Sequence, residues 1–106
     1  MPNNEIILCL TTLNSLPLAE KLATKIIKSK LAACVSISQI QSIYNWEGKI
    51  KKEDEFQLLI KTTMISKDLL LNLITLNHPY QLPEIIFVPI IDSNIEYSDW
   101  IKNFVQ

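Results

Sequence analysis

The feature that most constrains this chain is an extended run too long for the domain that carries it. From Ala33 to Trp46 apolar and polar residues alternate with the period of a strand. Glu47-Gly48-Lys49, holding the only glycine in the sequence, marks a turn. A second extended run, Glu55 to Thr62, then sets Phe56, Leu58 and Ile60 against Glu55, Gln57 and Lys61. The pair predicts a long β-hairpin. Ala33 to Trp46 is 13 steps, or about 43 Å at roughly 3.3 Å per residue. A compact domain of this size is only ~33 Å across, so the hairpin must overhang its own subunit. The alternation changes parity between Ile37 and Ile40, which predicts a bulge or bend there.

The flanking segments fix the rest. Glu5 to Thr12 is short and aliphatic, a strand buried on both faces. Asn14-Ser15 offers a helix cap and Pro17 a first-turn proline, ahead of a stripe of Leu18, Leu22 and Ile26. Ser66 is placed to cap a second helix through Leu69, Leu70, Leu73, Ile74 and Leu76, stopped at Asn77-His78-Pro79. Glu84 to Ile91 reads as a final strand, with Pro89 marking a sheet edge. Ser98 is read as the cap of a short closing helix through Val105. The order β-α-β-β-α-β plus a terminal helix predicts one α+β domain over residues 1–106. It is the ferredoxin-like split β-α-β, an antiparallel sheet with both long helices on one face. Helices on one face leave the other bare, yet Ile6-Ile7-Leu8 and Ile85-Ile86-Phe87-Val88 are apolar on both. Something must cover that face, and a second copy of the chain is the simplest cover.

Composition excludes several classes. Of 106 residues, 48% are hydrophobic and 20% charged, enough to bury a core. The net charge is −1, and all ten basic residues are lysines, which argues against nucleic-acid recognition by clustered arginines. The two cysteines, Cys9 and Cys34, form no disulfide framework. The start, Met1-Pro2-Asn3-Asn4-Glu5, lacks a basic leader region, and no apolar run reaches bilayer length. A cytoplasmic protein without membrane association is the expectation.

Four blocks carry a resemblance. Leu31-Ala32-Ala33-Cys34-Val35, Ser42-Ile43-Tyr44-Asn45-Trp46-Glu47-Gly48-Lys49 with Lys61-Thr62-Thr63, His78 to Ile86, and Tyr97-Ser98-Asp99-Trp100 resemble the CutA divalent-cation tolerance family. The resemblance spans nearly the whole chain. It implies a ferredoxin-like homotrimer with interlocking hairpins, similar in plan to the PII signalling proteins, and a role in tolerance of copper and other divalent metals without an assigned reaction.

The candidate chemistry is sparse. Cys34 and His78 are the residues whose donors suit copper. Their bland readings are a small buried hydrophobe and a helix-end histidine on the last carbonyls. Where some relatives place a strand-end cysteine and paired histidines, this chain has Thr11 and Asn77. With so few ligands, the expectation is that binding of copper or another divalent cation is weak or absent, and that any binding seen depends on His78. Tyr44, Trp46, Lys61, Tyr80, Glu84 and Trp100 form a possible small-molecule cleft at a subunit boundary; the same aromatics suit an interface lock. Two rival readings stand beside binding: an enzyme using Lys61, Tyr80 and Glu84 as acid–base groups, and a rigid scaffold or PII-like signalling trimer. Glu47, Glu53, Asp54 and Glu55 read as solvated turn charges, and no catalytic motif is present.

Overall fold

A computed structural model describes residues 5–105; the stretch on which the missing leader was read lies mostly outside them. The elements in order are β1 (Ile6–Leu13), α1 (Leu16–Lys28), β2 (Cys34–Trp46), β3 (Lys49–Thr63), a 3-10 turn (Met64–Ser66), α2 (Lys67–Asn77), β4 (Ile86–Pro89) and α3 (Ile95–Phe104). The sheet is antiparallel with strand order β2-β3-β1-β4. This is the predicted split β-α-β arrangement. β4 lies at an edge, where Pro89 sits opposite Ile7 at no cost to the ladder.

Local chemistry explains the element ends. Ser15 caps α1 through its hydroxyl, which accepts from the Leu18 amide at 3.3 Å, and Pro17 follows in the first turn. The helix closes on Lys30, whose φ of 58° lets the Leu31 amide reach back to the Ile26 carbonyl at 3.2 Å. Glu47 and Gly48 both take positive φ, 52° and 82°, the two-residue turn whose twist suits a hairpin. The Asn45 side chain steadies it by accepting from the Gly48 amide at 3.2 Å.

Three boundaries differ from the sequence reading. β3 begins at Lys49, right after the turn, because the ladder runs unbroken from Trp46↔Lys49 to Cys34↔Lys61. The same unbroken register removes the expected bulge. Val35 and Ile37 pair with Ile60 and Leu58 beneath the helices, whereas Ile40 belongs to the opposite face. The parity change is the strand exchanging its buried face. α3 starts at Ile95 with Asn94 as its cap, and Ser98 lies inside it, its hydroxyl donating to the Ile95 carbonyl at 3.2 Å. β4 is also shorter than read, four residues.

The core lies between sheet and helices: Cys9 and Leu13 of β1, Leu58 and Ile60 of β3, Leu22 and Ile26 of α1, Leu70 and Ile74 of α2. α3 packs on the other face at one end only, where Ile101 and Val105 bury Ile6. Among the described residues, no element covers the rest of that face. Leu8, Leu10, Leu59 and Val88 are half-buried there, and Ile86 is exposed. The hairpin extends beyond this body, giving extents of 44 × 26 × 22 Å.

Candidate functional site

The site forms where α2 ends against the far end of β1. Asn77 is the last helical residue because Pro79 forbids the α conformation to the residue before it, and His78 is accordingly extended. That geometry turns the imidazole onto β1. Its Nε2 lies 2.9 Å from the Thr12 carbonyl, and its Nδ1 accepts from the Tyr80 amide at 3.1 Å. A carbonyl requires a donor and an amide an acceptor, so the ring is the neutral Nε2–H tautomer. Burial pushes the His78 pKa below its ordinary value, outweighing the Thr12 carbonyl and the Glu55 charge, which pull the other way.

Tyr80 meets the His78 ring edge-on at 4.7 Å and donates its phenol proton to Glu55 Oε2 at 2.6 Å. Glu55 is only 6% exposed, so the phenol answers a carboxylate that would otherwise be buried without it. On the arm, Tyr44 donates to Glu53. Around these pairs lies an open cleft of about 410 Å³, whose lining includes Tyr44, Trp46, Lys51, Glu53, Tyr80 and Glu84.

Burial first, then the Glu55 carboxylate, raises the Glu84 pKa. Tyr80 is raised by burial and by its bond to Glu55, and Tyr44 by its bond to Glu53. Both phenols therefore stay protonated near neutral pH and act as donors. The cleft offers carboxylate oxygens, phenol hydroxyls and an indole: a surface for binding. Oxygen donors of this kind suit hard cations better than copper.

The predicted residues divide into three places. Tyr44, Trp46, Tyr80 and Glu84 come together in the cleft. Lys61 and Trp100 do not join them within one chain. Lys61 pairs with Leu8 and Cys34, its ammonium 5.5 Å over the Tyr97 ring, and Trp100 stacks on the same Tyr97 at 5.5 Å. Cys34 lies level with Leu8, four residues or about 13 Å along the strand from Thr12. Cys34 and His78 are thus not brought together in one chain. Cys9 is fully buried on the helix-covered face, its thiol pushed up to about 12 by burial. Among the described residues, no group of three or more His, Cys, Asp or Glu side chains is placed to hold a metal ion.

Sequence reasoning missed Glu55, which it counted with the solvated turn charges. The signal was present: Glu55 alternates with Phe56 and so shares the open face with Gln57 and Leu59. Glu53, Asp54 and Glu47 are exposed as read. Thr12 entered unforeseen, through its backbone carbonyl.

A family model described as CutA1 divalent ion tolerance protein matches residues 7–104. The chain belongs to this family. An Arabidopsis thaliana CutA protein, named chloroplastic, is 42% identical over 85 residues, 79% of this chain and 47% of the relative. The Escherichia coli divalent-cation tolerance protein CutA is 39% identical over 85 residues, 79% of this chain and 76% of the relative. This chain therefore spans about half the length of the Arabidopsis relative. The crystal structure of CutA1 from Oryza sativa superposes with a TM-score of 0.94 at 37% identity, covering 100% of this chain and 98% of that one. The CutA1 fold is thus shared from the first strand to the closing helix. Among the described residues, no helix is long and apolar enough to cross a membrane.

Proposed function

We propose that this CutA1-family chain acts in divalent-cation tolerance as a cytoplasmic homotrimer that binds at intersubunit clefts and performs no catalysis. The observation that carries the assembly is the arm. Every residue from Ile43 to Asp54 is exposed, including Ile43 (61%), Trp46 (40%) and Ile50 (73%), although the backbone ladder there is complete. A formed hairpin with bare apolar side chains is built to lie against another surface. The half-buried open sheet face supplies such a surface on each neighbour, and the two together favour closed rotational symmetry over a chain of copies.

Binding rather than catalysis is supported by the cleft itself. Its phenols are held protonated, and the lysine of the acid–base reading is committed elsewhere, over Tyr97. Copper affinity is expected to be weak. His78 has both ring nitrogens engaged, so ligation there gives up at least one hydrogen bond. Light scattering should return three chains of 12.2 kDa, about 37 kDa; a monomer at micromolar concentration refutes the assembly. Calorimetry with copper and zinc, beside His78→Ala, tests the metal reading. Submicromolar copper binding that survives His78→Ala would move the site to the cysteines.

A further inference from the structure

The charge that lines the cleft is one-sided. Glu53, Glu55 and Glu84 are set against a single lysine, Lys51. Among the described residues the only ion pair joins Lys67 to Asp68, so the chain itself neutralises none of these carboxylates. Glu55 matters most. It is almost buried, and the Tyr80 phenol answers only its Oε2. Its other oxygen takes no hydrogen bond or ion pair among the described residues, and the residue lines the cavity. A carboxylate withdrawn from water with one oxygen unanswered carries an electrostatic cost that a bound cation removes. Glu84 shows the same deficit of positive charge, since burial and then the Glu55 carboxylate hold its carboxyl above the ordinary value.

Size and chemistry select the kind of cation. A tightly held metal ion needs several donors drawn close around it. Among the described residues, no three His, Cys, Asp or Glu side chains are gathered in that way. The cavity, about 410 Å³, has the volume of a site for a small organic molecule, roughly 300–1,000 Å³. Trp46 and Leu82 in its lining give a carbon skeleton a place to lie, and an indole attracts an ammonium group. Tyr44 and Tyr80 give their protons to Glu53 and Glu55, which leaves the phenol oxygens as acceptors. The complement of this lining is a molecule with N–H donors, positive charge and a short hydrocarbon body.

Resting on the reading of this cleft as a binding site, we propose that its ligand is a protonated organic amine. Glu55 and Glu84 are its counter-ions, and Trp46 packs on its carbon chain. Three carboxylates against one lysine favour two ammonium groups over one.

The test is calorimetry of the full chain near neutral pH with 1,4-diaminobutane, n-butylamine, succinate and magnesium. The diamine should saturate at a Kd of about 0.1–1 mM, ordinary for a ligand of so few atoms, and bind more weakly as salt rises. The monoamine should bind several-fold more weakly and succinate not at all. Glu84→Gln and Glu53→Gln, both at exposed positions, should each weaken the diamine about three- to tenfold, and the diamine should shift the Trp46 indole N–H resonance. No saturation below about 10 mM, equal affinity for succinate, or unchanged binding by both variants overturns the proposal. Magnesium binding that Glu84→Gln weakens, without amine binding, also overturns it and keeps the cleft as a binding site for a metal ion. Light scattering on the same samples separates the assembly from the ligand. A monomer that binds the diamine upholds the amine and refutes the trimer, whereas a trimer that binds none refutes the amine alone.

Discussion

β3 has two halves with one backbone and two fates. From Phe56 to Thr62 its inner side chains, Leu58, Ile60 and Thr62, are fully buried beneath α1 and α2. From Lys49 to Asp54 every residue is exposed, yet the ladder to β2 continues in the same register. Hydrogen bonds along a hairpin are thus sufficient to hold its shape, while burial of one face supplies most of the free energy. The half without a helix above it lacks that term inside the subunit. It is also the half that lines the cleft.

That contrast can be broken experimentally. The largest expected effect is in the buried half: Ile60→Ala should cost about 2–5 kcal/mol, read as a lower urea midpoint. Ile50→Ala, on the arm, should change subunit stability by less than about 0.5 kcal/mol. Equal losses at the two positions in the dissociated subunit would mean the arm is buried by its own chain. Next comes Tyr80→Phe, which strips the phenol from the buried Glu55 carboxylate. A loss of about 1–3 kcal/mol is expected, against almost none for Tyr44→Phe, because Glu53 is exposed.

Trp46→Ala should act on assembly more than on the fold. Loss of an aromatic anchor costs upward of about 1–2 kcal/mol at an interface, or roughly tenfold or more in trimer dissociation. An intact trimer mass on dilution, with unchanged thermal stability, would remove the arm from the assembly. The smallest effect is at His78. Its folded pKa is lowered, so the unfolded chain takes the proton first, and stability is lost as pH falls from about 6.5 towards the folded midpoint. As the only histidine, it gives one assignable proton resonance, which should titrate below 6.5. Glu84 works in the opposite sense. Its folded carboxyl is raised, so its contribution weakens the fold as pH rises through the carboxylate range, and Glu84→Gln should remove that part of the profile.

Much of the molecule was readable from the chain. The caps at Ser15 and Pro17, the stop at His78-Pro79, the turn at Gly48 and the edge position of Pro89 follow from local chemistry, and each is where it was read. The hairpin's length was legible because alternation persists past the size of the body. The misread cap at Ser98 shows the limit of such signals. Asn94, of an equally common capping type four positions earlier, holds the N-cap position, although its side chain makes no capping hydrogen bond.

The sequence alone determined which segments become strands and helices, since period, caps and breakers act between residues a few positions apart. It also determined that one sheet face and one arm would lack cover. Only the tertiary structure decided which distant residues meet. The β1–β3 register and the stop of α2 bring Thr12, Glu55, His78 and Tyr80 to one place, and set Lys61 and Trp100 apart beside Tyr97. Strand order and register are set by the fit of whole faces against each other. A single position such as Glu55, polar by type and buried by placement, carries too little of that information to announce its own role.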